Sequence, residues 1–297
     1  MATTPILSIV IVNYNTRDLL RDCLRSVQNS EGIQDMELFV VDNASSDGSA
    51  AMISEEFPSV QLIENPTNAG YAHANNLAIT RCRGRYILLL NPDTVLPPDA
   101  LVRMIAFMDS NPHAGMAGPK LVRQNGSLDL ACRRSFPSPE VSLYRMLGLS
   151  KLFPRSRRFG RYNMTYVDDD QPIEVDSVVG AFMMVRDLAV KQVGMLDDSF
   201  FMYGEDLDWA YRVKAAGWKV LYNPEVVVLH VKGAASSHHA RKATIEFYRA
   251  MHIFYNKHYA RITNFLLGWL IVGAIWAKCA FSLAMNCLRP AETRRVS

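Results

Sequence analysis

Four apolar runs fall within the first 95 residues, and each stops at a polar turn. They occupy residues 6–12 (ILSIVIV), 38–41 (LFVV), 60–63 (VQLI) and 86–90 (YILLL). Runs this short and this continuously apolar suit strands buried on both faces, not strands with one wet side. Between them lie stretches of helical length; over residues 17–28, Leu19, Leu20, Leu24 and Val27 share one face. Strand, turn and helix repeated in this way specify an α/β fold: a mostly parallel central sheet with right-handed crossovers and flanking helices. The polar turns then line one carboxyl edge of the sheet, where open α/β folds bind their ligands.

These turns contain neither a P-loop nor a GxGxxG sequence, which disfavours an NTPase or a dinucleotide dehydrogenase. They offer acids and amides instead. Asp42 can accept from a base N–H, and Asn13, Asn15 and Asn43 can bond a ribose or base edge; all four are equally ordinary turn residues. The fourth run ends in Asn91-Pro92-Asp93, where Pro92 cannot extend a central strand. Asp93 is therefore a candidate metal ligand facing a phosphate, or simply a turn aspartate beside proline.

Further along, Gly180-Ala181 interrupts a strand-like run over residues 173–185 and suggests close approach of a ligand or another strand. A helix fits from Glu205 onward and ends at Gly217, with Glu205 and Asp206 in its first turn, where the helix dipole favours carboxylates. Two short strands, at residues 218–222 and 226–229, precede His230, a placement suited to a metal-binding imidazole or to a packed histidine. Arg133-Arg134 and residues 151–161 gather positive charge among aromatics, which reads as a mouth for an anionic lipid head group or as a solvated insertion.

In this order the segments resemble the family 2 glycosyltransferases, inverting enzymes of the GT-A nucleotide-diphospho-sugar transferase fold, and in particular bacterial rhamnosyltransferases. The resemblance is carried by SIVIVNYNTRDLLRDCLRSV, VVDNASSDGS, NAGYAHANN, YILLLNPDTVL, VVGAFMMVRD, GMLDDSFFMYGEDLDWAYRVKAAGW and VVVLHVKGAASS. It implies a GT-A catalytic domain over residues 1–237, with a basic insertion at about 133–170. By position it implies that Asp42 contacts the base, with Asn68, Gly70, Asn75 and Asn91 also on the donor side. It implies Asp93 and His230 as holders of a divalent cation, Mg²⁺ or Mn²⁺. Asn91 stands where many members carry the first acid of the metal motif. Asp206 matches the catalytic base with Glu205 beside it, and Gly180, Ala181 and Trp209 fall on the acceptor side. The implied partners are a nucleotide-sugar donor, dTDP-rhamnose by likeness, and a lipid-linked or polysaccharide acceptor. A nucleotidyltransferase is disfavoured because NYNTRD is not a glycine-rich basic loop. A silent nucleotide-sugar-binding protein is disfavoured by the joint presence of Asp93, Asp206 and His230.

Composition bounds the partners further. Net charge is only +3, too small for nucleic acid to be the main partner. Five cysteines with no CxxC pair argue against a disulfide framework or zinc site and suit a reducing compartment. The N-terminus lacks a basic stretch before its first apolar run, so no signal peptide is expected and catalysis is placed on the cytoplasmic side. Residues 238–297 read as a helical, membrane-associated tail. Within it, 265–285 is nearly uncharged apart from Lys278, just long enough to span, with basic residues on both flanks (Lys257, Arg261, Arg289, Arg294 and Arg295). A single membrane helix, an interfacial helix and a helix packed on the domain all fit this pattern.

Overall fold

The computed structural model describes residues 4–231 and 240–288. Its first half alternates as the apolar runs dictate: β1 (Leu7–Asn13), α1 (Arg17–Gln28), β2 (Met36–Asp42), α2 (Ser49–Glu56), β3 (Gln61–Glu64), α3 (Tyr71–Ile79) and β4 (Tyr86–Leu90). Every residue of β1 and β4 is buried, as strands covered on both faces require. These strands pair in the order β3-β2-β1-β4, all parallel.

The second half contains β5 (Thr94–Val95), α4 (Ala100–Ser110), β6 (Ala114–Val122), α5 (Pro139–Met146), α6 (Leu149–Leu152), β7 (Ile173–Val175), β8 (Phe182–Arg186), α7 (Asp187–Val193), α8 (Glu205–Ala215) and β9 (Lys219–His230). β8 joins β4 antiparallel, and the nine-stranded sheet continues β8-β6-β9-β5, with β7 also on β9. The remaining pairings leave β1–β4, β6 and β9 pointing one way and β5, β7 and β8 the other. The sheet is therefore mixed and mostly parallel.

Two strand expectations change. The run over 173–185 is divided, because the backbone N–H groups of Asp176 and Ser177 turn to the Arg134 carbonyl and leave the sheet. The two strands expected at 218–222 and 226–229 are one strand, β9. Its pairing with β6 jumps from Asn223 to Val227, a bulge at Pro224, which has no N–H to offer a ladder.

Two helices close the described chain: α9 (Ala240–His258) and α10 (Phe265–Cys287). α9 packs on the α/β body through Ala250 and Phe254, which meet Phe200 and Leu207. His258 Nε2 and Lys257 Nζ also reach the fully buried Asp208 carboxylate of α8 at 2.7 and 2.8 Å. α10 leans on α9 through Ile275 and Cys279 against Tyr248, and leaves a bare apolar face in which Phe265, Leu266, Trp269 and Leu270 are each at least 70% exposed. By length and composition this 23-residue helix can cross a membrane. The domain boundary expected at 237/238, and Arg289, Arg294 and Arg295, lie outside the described residues.

Candidate active site

The carboxyl edge of the first four strands is built from side chains that bind one another. Asp42 ends β2, accepting from Asn13 Nδ2 and from the Ser45 N–H, both at 2.9 Å. Asn13 also donates to Ser45 Oγ and accepts from Thr16 Oγ1, leaving its fully buried side chain saturated. It is a bracket for Asp42. Asn43 is saturated in the same way: its amide donates to Asn68 Oδ1 and the Gly70 carbonyl, and its oxygen accepts from Asn65 Nδ2 and the Ala69 N–H. Asn15 sits at φ +53 and accepts from the Ser46 N–H, a turn-forming role. Asn75 points into the protein and donates to the Tyr71 carbonyl of its own helix, α3. Asp42 is buried in this bracket and Asn68 is partly exposed; Asn13 and Asn43 hold the loops of the edge, whereas Asn75 bonds within α3.

Gly70 shows why a glycine precedes α3. Its φ is +95, and a Cβ there would lie 2.5 Å from the Phe201 carbonyl oxygen. The Tyr71 N–H donates to that same carbonyl at 2.7 Å, tying α3 to the loop before α8.

On the other side of the cleft, Asp93 and His230 face each other. β5 pairs with the end of β9, placing Thr94 opposite His230, and the Val231 N–H donates to the Asp93 carbonyl. His230 Nε2 lies 3.4 Å from Asp93 Oδ1, while Nδ1 lies 2.9 Å from Asp129 Oδ2. Burial alone would lower the His230 pKa, but hydrogen bonds to Asp129 and Asp93 outweigh it and raise the value to about 9. The donor set fits a divalent cation. Ligand atoms about 2.1 Å from one ion and roughly a right angle to a tetrahedral angle apart are separated by about 3.0–3.4 Å. A carboxylate on the far imidazole nitrogen is the usual support for a metal-bound histidine. Asp129 gave no sequence signal; it follows a turn after β6 and caps a 3₁₀ turn over Leu130–Cys132.

The carboxylates of α8 meet this edge through Tyr71 and Gly180. The Tyr71 hydroxyl lies 3.2 Å from Asn91 Oδ1 and 3.1 Å from the Gly180 carbonyl. The Gly180 N–H in turn donates to Asp206 Oδ2, and the Asn91 N–H donates to the Ala181 carbonyl. Burial, followed by the charges of Glu205, Asp206 and Asp93, keeps the Tyr71 phenol protonated. One hydroxyl therefore feels the carboxylates from both sides of the cleft.

Asp206 Oδ2 also accepts from Arg134 at 2.6 Å in an ion pair that is nearly enclosed, and Asp206 Oδ1 accepts from the Leu207 N–H. Burial would pull the Arg134 guanidinium down, but Asp206 more than compensates and holds it charged. Neighbouring Glu205 is buried, and its Oε2 has no hydrogen-bond partner among the described residues. Burial first, and then the charge of Asp206, push the Glu205 carboxyl well above the usual carboxylate range. The site thus holds one carboxylate paired with an arginine and an adjacent one biased towards its acid.

Two expectations are corrected, for Trp209 and for the arginine pair. Trp209 is fully enclosed with its indole donating to the Gly194 carbonyl; it packs the base of α8 and offers no surface to an acceptor. Arg133 and Arg134 are not part of a surface mouth: Arg133 is buried against Asp168 and Val167 carbonyls and over Tyr222, and Arg134 holds Asp206. Gly180 and Ala181 belong to the cleft floor beside Asp206. Tyr71 and Arg134 were missed for different reasons. Tyr71 was visible as the residue after a positive-φ glycine, whereas Arg134 looked like one more surface cation.

Comparison with known proteins identifies the family and the fold. The family description "Glycosyl transferase family 2" matches residues 8–193. The N-acetylglucosaminyl-diphospho-decaprenol L-rhamnosyltransferase of Mycobacterium tuberculosis is 24% identical over 304 aligned positions, covering 99% of this chain and 97% of the relative. Rhamnosyltransferase WbbL of Escherichia coli is 25% identical over 276 positions, covering 86% and 97%. A mannosyltransferase of Pyrobaculum calidifontis, solved with GDP-Man and Mn²⁺, shares the fold with a TM-score of 0.56 at 17% identity, covering 98% of this chain and 83% of that one.

Proposed function

The chain belongs to glycosyl transferase family 2 and is a glycosyltransferase of the GT-A fold, and from that premise we propose that it moves rhamnose from dTDP-rhamnose, with inversion, onto a lipid-linked acceptor for a cell-surface glycan. The observation that carries this reading is the junction at Tyr71 and Gly180, which joins the Asn91–Asp93 turn to Asp206. Donor phosphates and acceptor hydroxyl need these groups within one cleft. The rhamnose donor and the diphospholipid acceptor are suggested by the names of the two rhamnosyltransferase relatives.

Asp93 and His230 would hold Mg²⁺ or Mn²⁺, whose charge favours departure of the nucleoside diphosphate. Asp206 accepts the proton of the attacking hydroxyl, a contribution of roughly 10²–10⁴ in rate. Arg134 and the Gly180 N–H fix its Oδ2, and the Leu207 N–H fixes its Oδ1, so the base meets the acceptor in one orientation. Asp42 and Asn68 border the nucleotide side. The bare face of α10 is proposed to rest in or cross the cytoplasmic leaflet, bringing the cleft to a membrane-held acceptor.

The test is a panel of nucleotide sugars screened by thermal shift with and without Mn²⁺, followed by nucleoside diphosphate release on adding acceptor. A true donor at one hundred times its dissociation constant stabilises by about 2.7 kcal/mol. Stabilisation by dTDP-rhamnose with acceptor-dependent release is expected. Release with a different donor would redirect the sugar assignment, and no release with any donor would overturn transfer.

A further inference from the structure

We infer that the arginine-lined cavity on the α5–α6 insertion binds the diphosphate of a lipid-linked acceptor, an assignment that rests on the transfer reaction proposed above. The cavity, about 330 Å³, is lined by Glu140, Val141, Tyr144, Arg157, Arg158 and Arg161. Its one acid is already matched: Glu140 accepts from the Tyr144 hydroxyl at 2.5 Å and from Arg158 Nε at 3.3 Å. Arg158 Nε also donates to the Tyr144 hydroxyl at 2.6 Å, completing a closed triangle. Arg157 and Arg161 are exposed, and their guanidinium groups form no ion pair among the described residues. Two unmatched forks of five donors each suit the two charges of a diphosphate diester.

The surroundings select a lipid-borne diphosphate over a free one. Leu143, Leu147, Leu152 and Phe153 of the same insertion are 48–69% exposed, an apolar strip beside a cationic cavity. A prenyl chain leaving the diphosphate would cover that strip and be continued by the bare face of α10. The insertion and the tail adjoin: the ring of Phe136, at the start of the insertion, lies 6.4 Å from that of Phe254 in α9.

Position relative to the base follows from the chain. Tyr162 directly succeeds Arg161, is buried beneath Arg145, and its carbonyl accepts from the N–H of Ser135, the neighbour of the Arg134 that holds Asp206. From cavity to base the path runs through Arg161, Tyr162, Ser135, Arg134 and Asp206. The unmatched arginines thereby acquire a task that surface solubility does not explain.

The experiment uses the full chain in detergent micelles with Arg157→Ala/Arg161→Ala, leaving Arg158 to keep Glu140 matched. Two acceptors are compared: an N-acetylglucosaminyl diphospho-farnesol and the uncharged octyl N-acetylglucosaminide. Losing two charge-assisted contacts is expected to raise KM for the diphosphate acceptor about tenfold or more, with kcat and the donor KM unchanged. KM for the neutral glycoside should not move, and Arg157→Lys/Arg161→Lys should restore most of the affinity. An unchanged KM for the diphosphate acceptor, or an equal rise for both acceptors, overturns the assignment. Flotation with phosphatidylglycerol vesicles forms the second arm. Equal flotation of wild type and variant is expected; lost flotation with an unchanged micellar KM assigns the cavity to membrane head groups and also overturns it. Wild type inactive on both acceptors would sink the transfer reading itself, whereas an active wild type with an indifferent variant sinks only the cavity.

Discussion

Replacing Arg134 with methionine removes the one cation between two adjacent buried carboxyl groups while conserving much of the side chain's volume. The Arg134–Asp206 pair spans 2.6 Å with each side chain 9% exposed, so water compensates little. Breaking a buried pair from one side costs about 3–5 kcal/mol, because the remaining charge stays enclosed. For a chain of this size that corresponds to a melting temperature lower by roughly 6–10 °C. The loss is expected to depend on pH. Without Arg134, the cation that opposes proton uptake at Glu205 is lost, so Glu205 keeps its proton to a higher pH in the folded state than it does in the wild type. The folded state then binds more protons, and stability falls as pH rises above the ordinary carboxylate range, about 4. Differential scanning calorimetry of wild type and Arg134→Met from pH 5 to 9 should therefore show a gap that widens with pH, and Arg134→Lys should close most of it. A gap below about 1 kcal/mol that ignores pH would refute the view that this ion pair anchors the base.

The other expectations concern the same cleft. His230 is held protonated up to about pH 9 by Asp129 and Asp93, so a metal must displace that proton. The pairs it makes stabilise the metal-free protein fully below its ordinary value of about 6.5 and are lost through about 9. Mn²⁺ affinity by calorimetry should rise by up to about tenfold per unit between pH 7 and 9, with proton release; a flat profile without proton release contradicts the assignment. Glu205→Gln keeps the shape and removes the carboxyl whose folded value is raised. It should stabilise the protein increasingly as pH rises from 5 to 9; a melting difference that stays constant over that range contradicts the assigned protonation. Tyr71→Phe strips a donor from the buried Gly180 carbonyl and from Asn91, and should cost about 1–3 kcal/mol in chemical denaturation. A loss no larger than that of an exposed tyrosine would mean the junction is not structural.

The sequence made the sheet legible wherever a strand was buried on both faces. Runs such as YILLL announce β4 without help from partners, and their polar ends mark the ligand edge. It failed where register or closure was set by contacts far along the chain. Residues 173–185 read as one strand because nothing local reveals that the Asp176 and Ser177 N–H groups turn to Arg134. Residues 218–229 read as two strands because Pro224 looks like a break, although a bulge absorbs it. Among candidate site residues, Asp93 and His230 lie 3.4 Å apart although 137 positions separate them in the chain, whereas the partners of the amides could not be read from their type. Asn13 and Asn43 are polar turn residues whose every side-chain group is spent on neighbours, a distinction that requires their partners' coordinates. Arg134 and Asp129 lay in the loosely patterned stretch after β6, where no periodicity assigns a side chain to the core.

The most direct measurement pairs donor binding with turnover in Asp206→Asn. Asparagine preserves the side chain's shape and its carbonyl can still face Arg134, but it cannot take a proton. The expected result is a melting temperature lowered by several degrees, because Arg134 loses its counter-charge, with donor and Mn²⁺ titrations matching wild type at a temperature where both stay folded, and transfer lowered by roughly 10²-fold or more. Near-normal transfer by a protein that folds and binds donor equally well would show that the proton leaves the acceptor by another route.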